Sequence, residues 1–177
     1  VGLAVLFFVP DWEYNIDRQA SLILIRKIAA RKNVSLIIKA NTRGTGSFSK
    51  NEFAEINDHI NVTFPSMNQH SSTLIRSADI VVNFASSIGL EAIIQRRPVC
   101  NPVYLNGNTT IFDESGVVFD AKDSDEVFRF FDTVEAEGYI DVSDETLDHF
   151  LEKNVYGGET NADILQKHVD LLSEDVI

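Results

Sequence analysis

Asp79-Ile80-Val81-Val82-Asn83-Phe84-Ala85-Ser86-Ser87-Ile88-Gly89-Leu90-Glu91-Ala92 joins an apolar run, a turn of small residues and the start of a helical pattern. Ile80 to Asn83, apolar without alternation over Ile80-Val81-Val82, reads as a strand covered by helices on both faces. Ser86 and Ser87 fall where the next helix begins. Unpaired backbone N–H groups and the positive end of the helix dipole favour an anion there, and two hydroxyls add donors. Gly89 permits close approach at the same turn, and Glu91, about one helical turn on, is placed to accept hydrogen bonds from sugar hydroxyls. The same residues also satisfy ordinary needs, a serine cap and an acidic first turn.

Working outward, five further segments read as strands: Leu3 to Val9, Val34 to Lys39, Ile60 to Phe64, Val99 to Asn101 and Val117 to Asp120. Helical patterns separate nearly all of them. In the first, Ile16, Ala20, Leu24 and Ile28 form an apolar stripe while Arg18, Arg26 and Lys32 face water. Ser49 with Glu52, and Asp123 with Glu126, have capping-box spacing and mark two further helix starts. The expectation is an α/β fold, a doubly wound, Rossmann-like parallel sheet of about six strands with helices on both faces and a helical carboxyl-terminal tail. A single nucleotide-binding domain over 1–177 is expected, with its core at 1–138 and the tail at 139–177. In that tail Ala162, Leu165, Val169 and Leu172 share one helix face, and Ser143 to Asp148 reads as an acidic helix start. The first strand begins almost at Val1, which points to a preceding domain of a longer parent protein.

The 177 residues carry a net charge of -12, which excludes a nucleic-acid backbone or an anionic membrane as the main partner, because both require a clustered basic face. A lone Cys100, in Arg97-Pro98-Val99-Cys100, reads as a core residue. His59, His70, His149 and His168 lack the short spacings of a metal site, so no metal and no cofactor are expected. No run reaches the length of a membrane span, and no signal peptide is evident, so a cytoplasmic location is expected, with peripheral attachment to the inner membrane face through the parent protein.

Ligands of doubly wound sheets bind outside the carboxyl ends of the strands, so loops that follow strands carry the chemistry. After the first strand comes Pro10-Asp11-Trp12-Glu13-Tyr14-Asn15, and after the second Lys39-Ala40-Asn41-Thr42-Arg43-Gly44-Thr45-Gly46. Lys39 and Arg43 are cations suited to neutralising a nucleotide's phosphates, and Asn41 has an amide donor. After the third strand comes Pro65-Ser66-Met67-Asn68.

The run from Ser77 to Pro102, with Ser86-Ser87-Ile88-Gly89-Leu90-Glu91-Ala92 and Arg97-Pro98-Val99, resembles the GT-B glycosyltransferase signature S-S-x-G-x-E-A followed by a "kPV" strand. That resemblance implies that Ser86 and Ser87 hold the donor's diphosphate, with Gly89 allowing its close approach, that Glu91 holds its ribose, and that the loop at Ser66 meets the base through backbone groups. Asn83 stands where many members carry an acid. Leu36 to Asn41 is similar to the "viKpHP" strand end of capsule and glycerophosphotransferase-type enzymes, with Asn41 in the place of histidine. Asn154-Val155-Tyr156-Gly157-Gly158 is similar to the "yG" tail of surface-polysaccharide transferases. The resemblance implies the donor-binding half of a transferase of surface polysaccharide biosynthesis, using a UDP-, CDP- or CMP-linked donor. Two other readings are open: one half of a UDP-sugar 2-epimerase, and a non-catalytic Rossmann-like interaction module.

Overall fold

The computed structural model describes residues 2–40, 48–66, 68–84, 86–138, 142–158, 160 and 163–167. Strands and helices alternate: β1 (Leu3–Phe8), α1 (Arg18–Ala29), β2 (Val34–Lys39), α2 (Lys50–Asn57), β3 (Val62–Thr63), α3 (Ser71–Ser77), β4 (Ile80–Val82), α4 (Ile88–Ile94), β5 (Val99–Pro102), β6 (Phe119–Ala121), α5 (Ser124–Glu137) and α6 (Asp144–Asn154). The six strands form one sheet in the order β3-β2-β1-β4-β5-β6, and every pairing is parallel. The expected doubly wound Rossmann-like sheet is present, with its strand order reversing between β1 and β4.

Period-two alternation in β1 feeds two separate cores. Leu3, Val5 and Phe7 point to one face, where they meet Leu24, Ile25 and Ile28 of α1 and Val127, Phe131 and Val134 of α5. Leu6 and Phe8 point to the other, against Leu74 and Ile75 of α3, Ala92 and Ile93 of α4, and Leu147 and Phe150 of α6. The last of these helices is sealed by stacking of Phe150 on Phe112, with ring centroids 6.0 Å apart.

Local signals explain the boundaries. Ser49 and Glu52 make the full reciprocal capping box at α2. At α5, Asp123 accepts from Glu126 N, but the Glu126 carboxylate reaches Lys122 N in place of the cap residue. Ile16 lies outside α1: it pairs with Asn106 in an isolated bridge, and Asp17 caps the helix through Ala20 N. Of the three basic residues expected in water, Lys32 is exposed, whereas Arg18 and Arg26 lie half-buried against α2, paired with Glu52 and Glu55. The third strand is shorter than its apolar run because Ile60 is fully exposed and Val62 N closes a turn onto His59 O. Leu165 is 60% exposed, and its stripe partners Ala162, Val169 and Leu172 lie outside the described residues. Among the described residues no helix is long and apolar enough to cross a membrane, and no group of three His, Cys, Asp or Glu is placed to hold a metal ion.

Candidate functional site

β4 delivers the chain to the point where the strand order reverses. Its pairing with β5 runs on into Asn83, whose N–H donates to Cys100 O at 3.0 Å. Phe84 then anchors the turn, 1% exposed and edge-on to Phe7 of β1. The Asn83 side chain is 2% exposed: Nδ2 donates to Ser86 O at 2.9 Å, and Oδ1 is buried without a hydrogen-bond partner. A carboxylate here would face the Ser86 carbonyl with no proton to donate, so the amide has a local reason to occupy the position.

The two serines differ. Ser86 Oγ accepts from Ile88 N at 3.4 Å, a long cap bond, and its carbonyl accepts from Gly89 N at 3.3 Å. Ser87 is exposed at the helix start with no side-chain cap bond. Gly89 is buried, and a Cβ there would lie 2.7 Å from Asn83 Nδ2 and 3.2 Å from the Phe112 ring. Its missing side chain therefore lets α4 close on Asn83 and Phe112, the close-packing use of glycine in a strand–turn–helix unit. Glu91 is exposed one turn further along α4.

Loops from β1 and β5, the strands on either side, meet across the end of β4. Gly107 N donates to Asn15 O at 2.9 Å, Asp17 N to Leu105 O at 2.9 Å, and Asn108 Nδ2 to Tyr14 O at 2.7 Å. Asn15 adopts a left-handed φ of 54°, and its side-chain amide fills the space where a Cβ of residue 107 would stand. The β5 loop is fixed from beneath by Asn101, 2% exposed, whose Nδ2 donates to Asp120 at 2.7 Å and Asp113 at 3.2 Å. Asp113 in turn accepts from Thr110 N and Thr110 Oγ1.

These pieces enclose a cleft of about 300 Å³. Its polar lining residues are Ser86, Ser87, Asn108 and Thr110, of which Asn108 Nδ2 donates to Tyr14 O and Asn106 Oδ1 and the Thr110 hydroxyl to Asp113, and Tyr14, Ile111 and Phe112 supply its apolar surface. Tyr14 is 65% and Ile111 50% exposed. Tyr14 belongs to the loop after the first strand, which the sequence places at the crevice, whereas Asn108 and Thr110 are not among the expected site residues. The Asn106-Gly107-Asn108 turn is visible in the sequence, but its proximity to Tyr14 arises from a contact between residues 94 apart.

Lys39 and Ser66 come together elsewhere, beyond β1 from the cleft. The Lys39 ammonium, 8% exposed, donates to the carbonyls of Ser66 at 3.3 Å and Gln69 at 3.0 Å, so it fixes the loop after β3. Asn41 and Arg43 lie outside the described residues. Burial pushes the Cys100 thiol well above its ordinary range, which leaves it inert, and burial together with Cys100 and Asp123 pushes Tyr104 up to about 12. A second hollow, about 320 Å³, opens beside Arg97 and Val99 at the amino end of β5. That is the end of the sheet opposite to where this fold binds ligands.

No protein-family model and no curated protein matches the chain. Solved structures do. The Anabaena protein Alr3699/HepE, in complex with UDP-glucose, is similar over 98% of this chain and 49% of its own, with TM-score 0.60 and 15% identity. The carboxyl-terminal domain of a group 1 glycosyl transferase, LpcC from Francisella tularensis, is similar over 86% of this chain and 85% of its own, with TM-score 0.51 and 14% identity. A UDP-N-acetylglucosamine 2-epimerase from Listeria monocytogenes is similar over 84% of this chain and 39% of its own, with TM-score 0.56 and 14% identity. The chain spans about half the length of HepE. In fold, it is similar to the carboxyl-terminal half of the GT-B glycosyltransferases.

Proposed function

We propose that this chain is the donor-binding half of a GT-B glycosyltransferase, which moves a sugar or a polyol phosphate from a nucleotide-activated donor in surface polysaccharide biosynthesis in the cytoplasm. The observation that supports it most is the cleft beside Ser86 and Ser87, at the point where strand order reverses, in a fold shared along 98% of the chain with a UDP-glucose-bound structure. The donor's diphosphate lies against Ser86 and the exposed Ser87 hydroxyl, and Glu91 accepts from the ribose. The loop at Ser66, held by Lys39, meets the base, and the phosphates are also assigned to Asn41 and Arg43, which lie outside the described residues. Catalysis on this half is electrostatic stabilisation of the departing nucleotide. Among the described residues the cleft is lined by no carboxylate and no imidazole, so the general base is assigned to the preceding domain.

A calorimetric titration with UDP-, CDP- and CMP-linked sugars tests the reading. Ser87→Asp places a carboxylate beside the diphosphate at an exposed position that makes no capping bond, so binding is expected to fall by more than about 100-fold with folding intact. Retained affinity in that variant refutes the site. The isolated chain is expected to bind nucleotide without turnover, and measurable sugar transfer by it alone would overturn the division of labour. The epimerase reading has support in the Listeria likeness and predicts UDP-N-acetylglucosamine turnover once the preceding domain is present. An interaction module predicts no nucleotide binding at all.

A further inference from the structure

Resting on the donor-site reading, we infer that Asn83 is a positioning residue: its buried amide holds the Ser86 carbonyl inward, so that the turn presents its serines, and not a carbonyl oxygen, to the diphosphate. The argument starts from an unfavourable feature of the site. Asn83 is 2% exposed, and its Oδ1 is buried with no hydrogen-bond partner. An unpaired buried acceptor destabilises a fold by more than one neutral hydrogen bond stabilises it, so stability alone favours an apolar side chain here. The amide is there for what its other half does, and Nδ2 makes one bond, to Ser86 O at 2.9 Å.

That bond governs the direction of the peptide between Ser86 and Ser87. The second donor to Ser86 O is Gly89 N at 3.3 Å, a longer contact. Both donors belong to buried residues, so the negative end of this peptide dipole is occupied from within, while Ser86 and Ser87 line the cleft. A carbonyl released towards a diphosphate repels it, and the repulsion is strong in a partly desolvated site. The amide is itself fixed: Asn83 N donates to Cys100 O at 3.0 Å, and Nδ2 lies 2.7 Å from the point where a Cβ of residue 89 would stand. Asn83 does not line the cleft, so its effect on a ligand runs through Ser86.

The test sets calorimetric titration with UDP and CDP beside urea unfolding, on the 177-residue chain and on its Asn83→Ala and Asn83→Leu variants. The first variant leaves space and the second fills it, and both lack the donor as well as the unpaired acceptor. For the nucleotide that binds, both are expected to lose about 10-fold in affinity, while the unfolding midpoint of at least one stays at or above that of the unsubstituted chain. A merely structural role would move the two readouts together. Undiminished affinity in either variant, or an unfolding midpoint that falls in both, overturns the inference and leaves the donor site standing. Absence of UDP and CDP binding by the unsubstituted chain refutes the donor site, and the inference with it.

Discussion

At the carboxyl end of β4, Ser87 stands exposed at a helix start with no capping bond, beside a cleft. At the carboxyl end of β2, Lys39 is 8% exposed and spends its ammonium on the carbonyls of Ser66 and Gln69. Both ends carry groups suited to a phosphate, and the β2 end carries the full charge. The difference lies in where the side chains can go. A long aliphatic stem at the end of a buried strand folds back over the sheet and must then satisfy its buried ammonium, for which loop carbonyls are the nearest acceptors. A serine at a turn has no reach, so its hydroxyl stays where the backbone puts it. In this chain, charge at a strand end builds a loop, and short neutral donors build the cleft.

Substitutions can break or sharpen that contrast. The largest stability effect is expected at Asn101, which supports the β4–β5 end. Asn101→Leu keeps the volume and removes both bonds to Asp113 and Asp120, and is expected to cost about 3 kcal/mol in urea unfolding and to loosen the 106–114 loop, seen as faster amide exchange. If that loop is unchanged, the cleft wall does not depend on Asn101.

Lys39→Met is expected to cost about 1–3 kcal/mol by leaving carbonyl oxygens without their charged donor, and to weaken UDP binding by less than Ser87→Asp does, because the ammonium acts only through the loop at Ser66. A loss of UDP binding in a folded Lys39→Met protein as large as that in Ser87→Asp would make the ammonium itself a phosphate ligand and reverse the comparison. Gly89→Ala forces a Cβ onto the Asn83 amide and the Phe112 ring. Overpacking outweighs the helix-propensity gain, for a net loss of about 1–2 kcal/mol measured by thermal or urea unfolding.

The smallest effect belongs to Glu52, on the β2 side. The Arg18 guanidinium, and then the Ser49 N–H, hold its carboxyl down from 4.5 to about 2. Since the folded state is the more acidic, this stabilisation is complete above about pH 4.5 and is lost as pH falls towards 2. The pair is partly solvated, so Glu52→Gln should remove only about 0.5–1 kcal/mol at neutral pH and flatten the acid limb of a stability–pH curve. An unchanged acid limb would show that the pair contributes nothing.

The sequence by itself determined the layers and the turn. Unbroken apolar runs dictate strands buried on both faces, and Ser49 with Glu52 or Asp123 with Glu126 announce helix starts, because these are local constraints within a few residues. Ser86 and Ser87 were legible for the same reason. What only the tertiary structure decided depends on contacts between residues far apart in the chain. Tyr14 and Asn108 meet because β1 and β5 flank β4, Gly107 is demanded by the Asn15 side chain, and Gly89 by Asn83 and Phe112. The direction of Lys39 was equally hidden, since a lysine at a strand end reads the same whether its ammonium meets a phosphate or a carbonyl. That choice is made by the loop carbonyls of Ser66 and Gln69, which the fold brings over it and which no local pattern records.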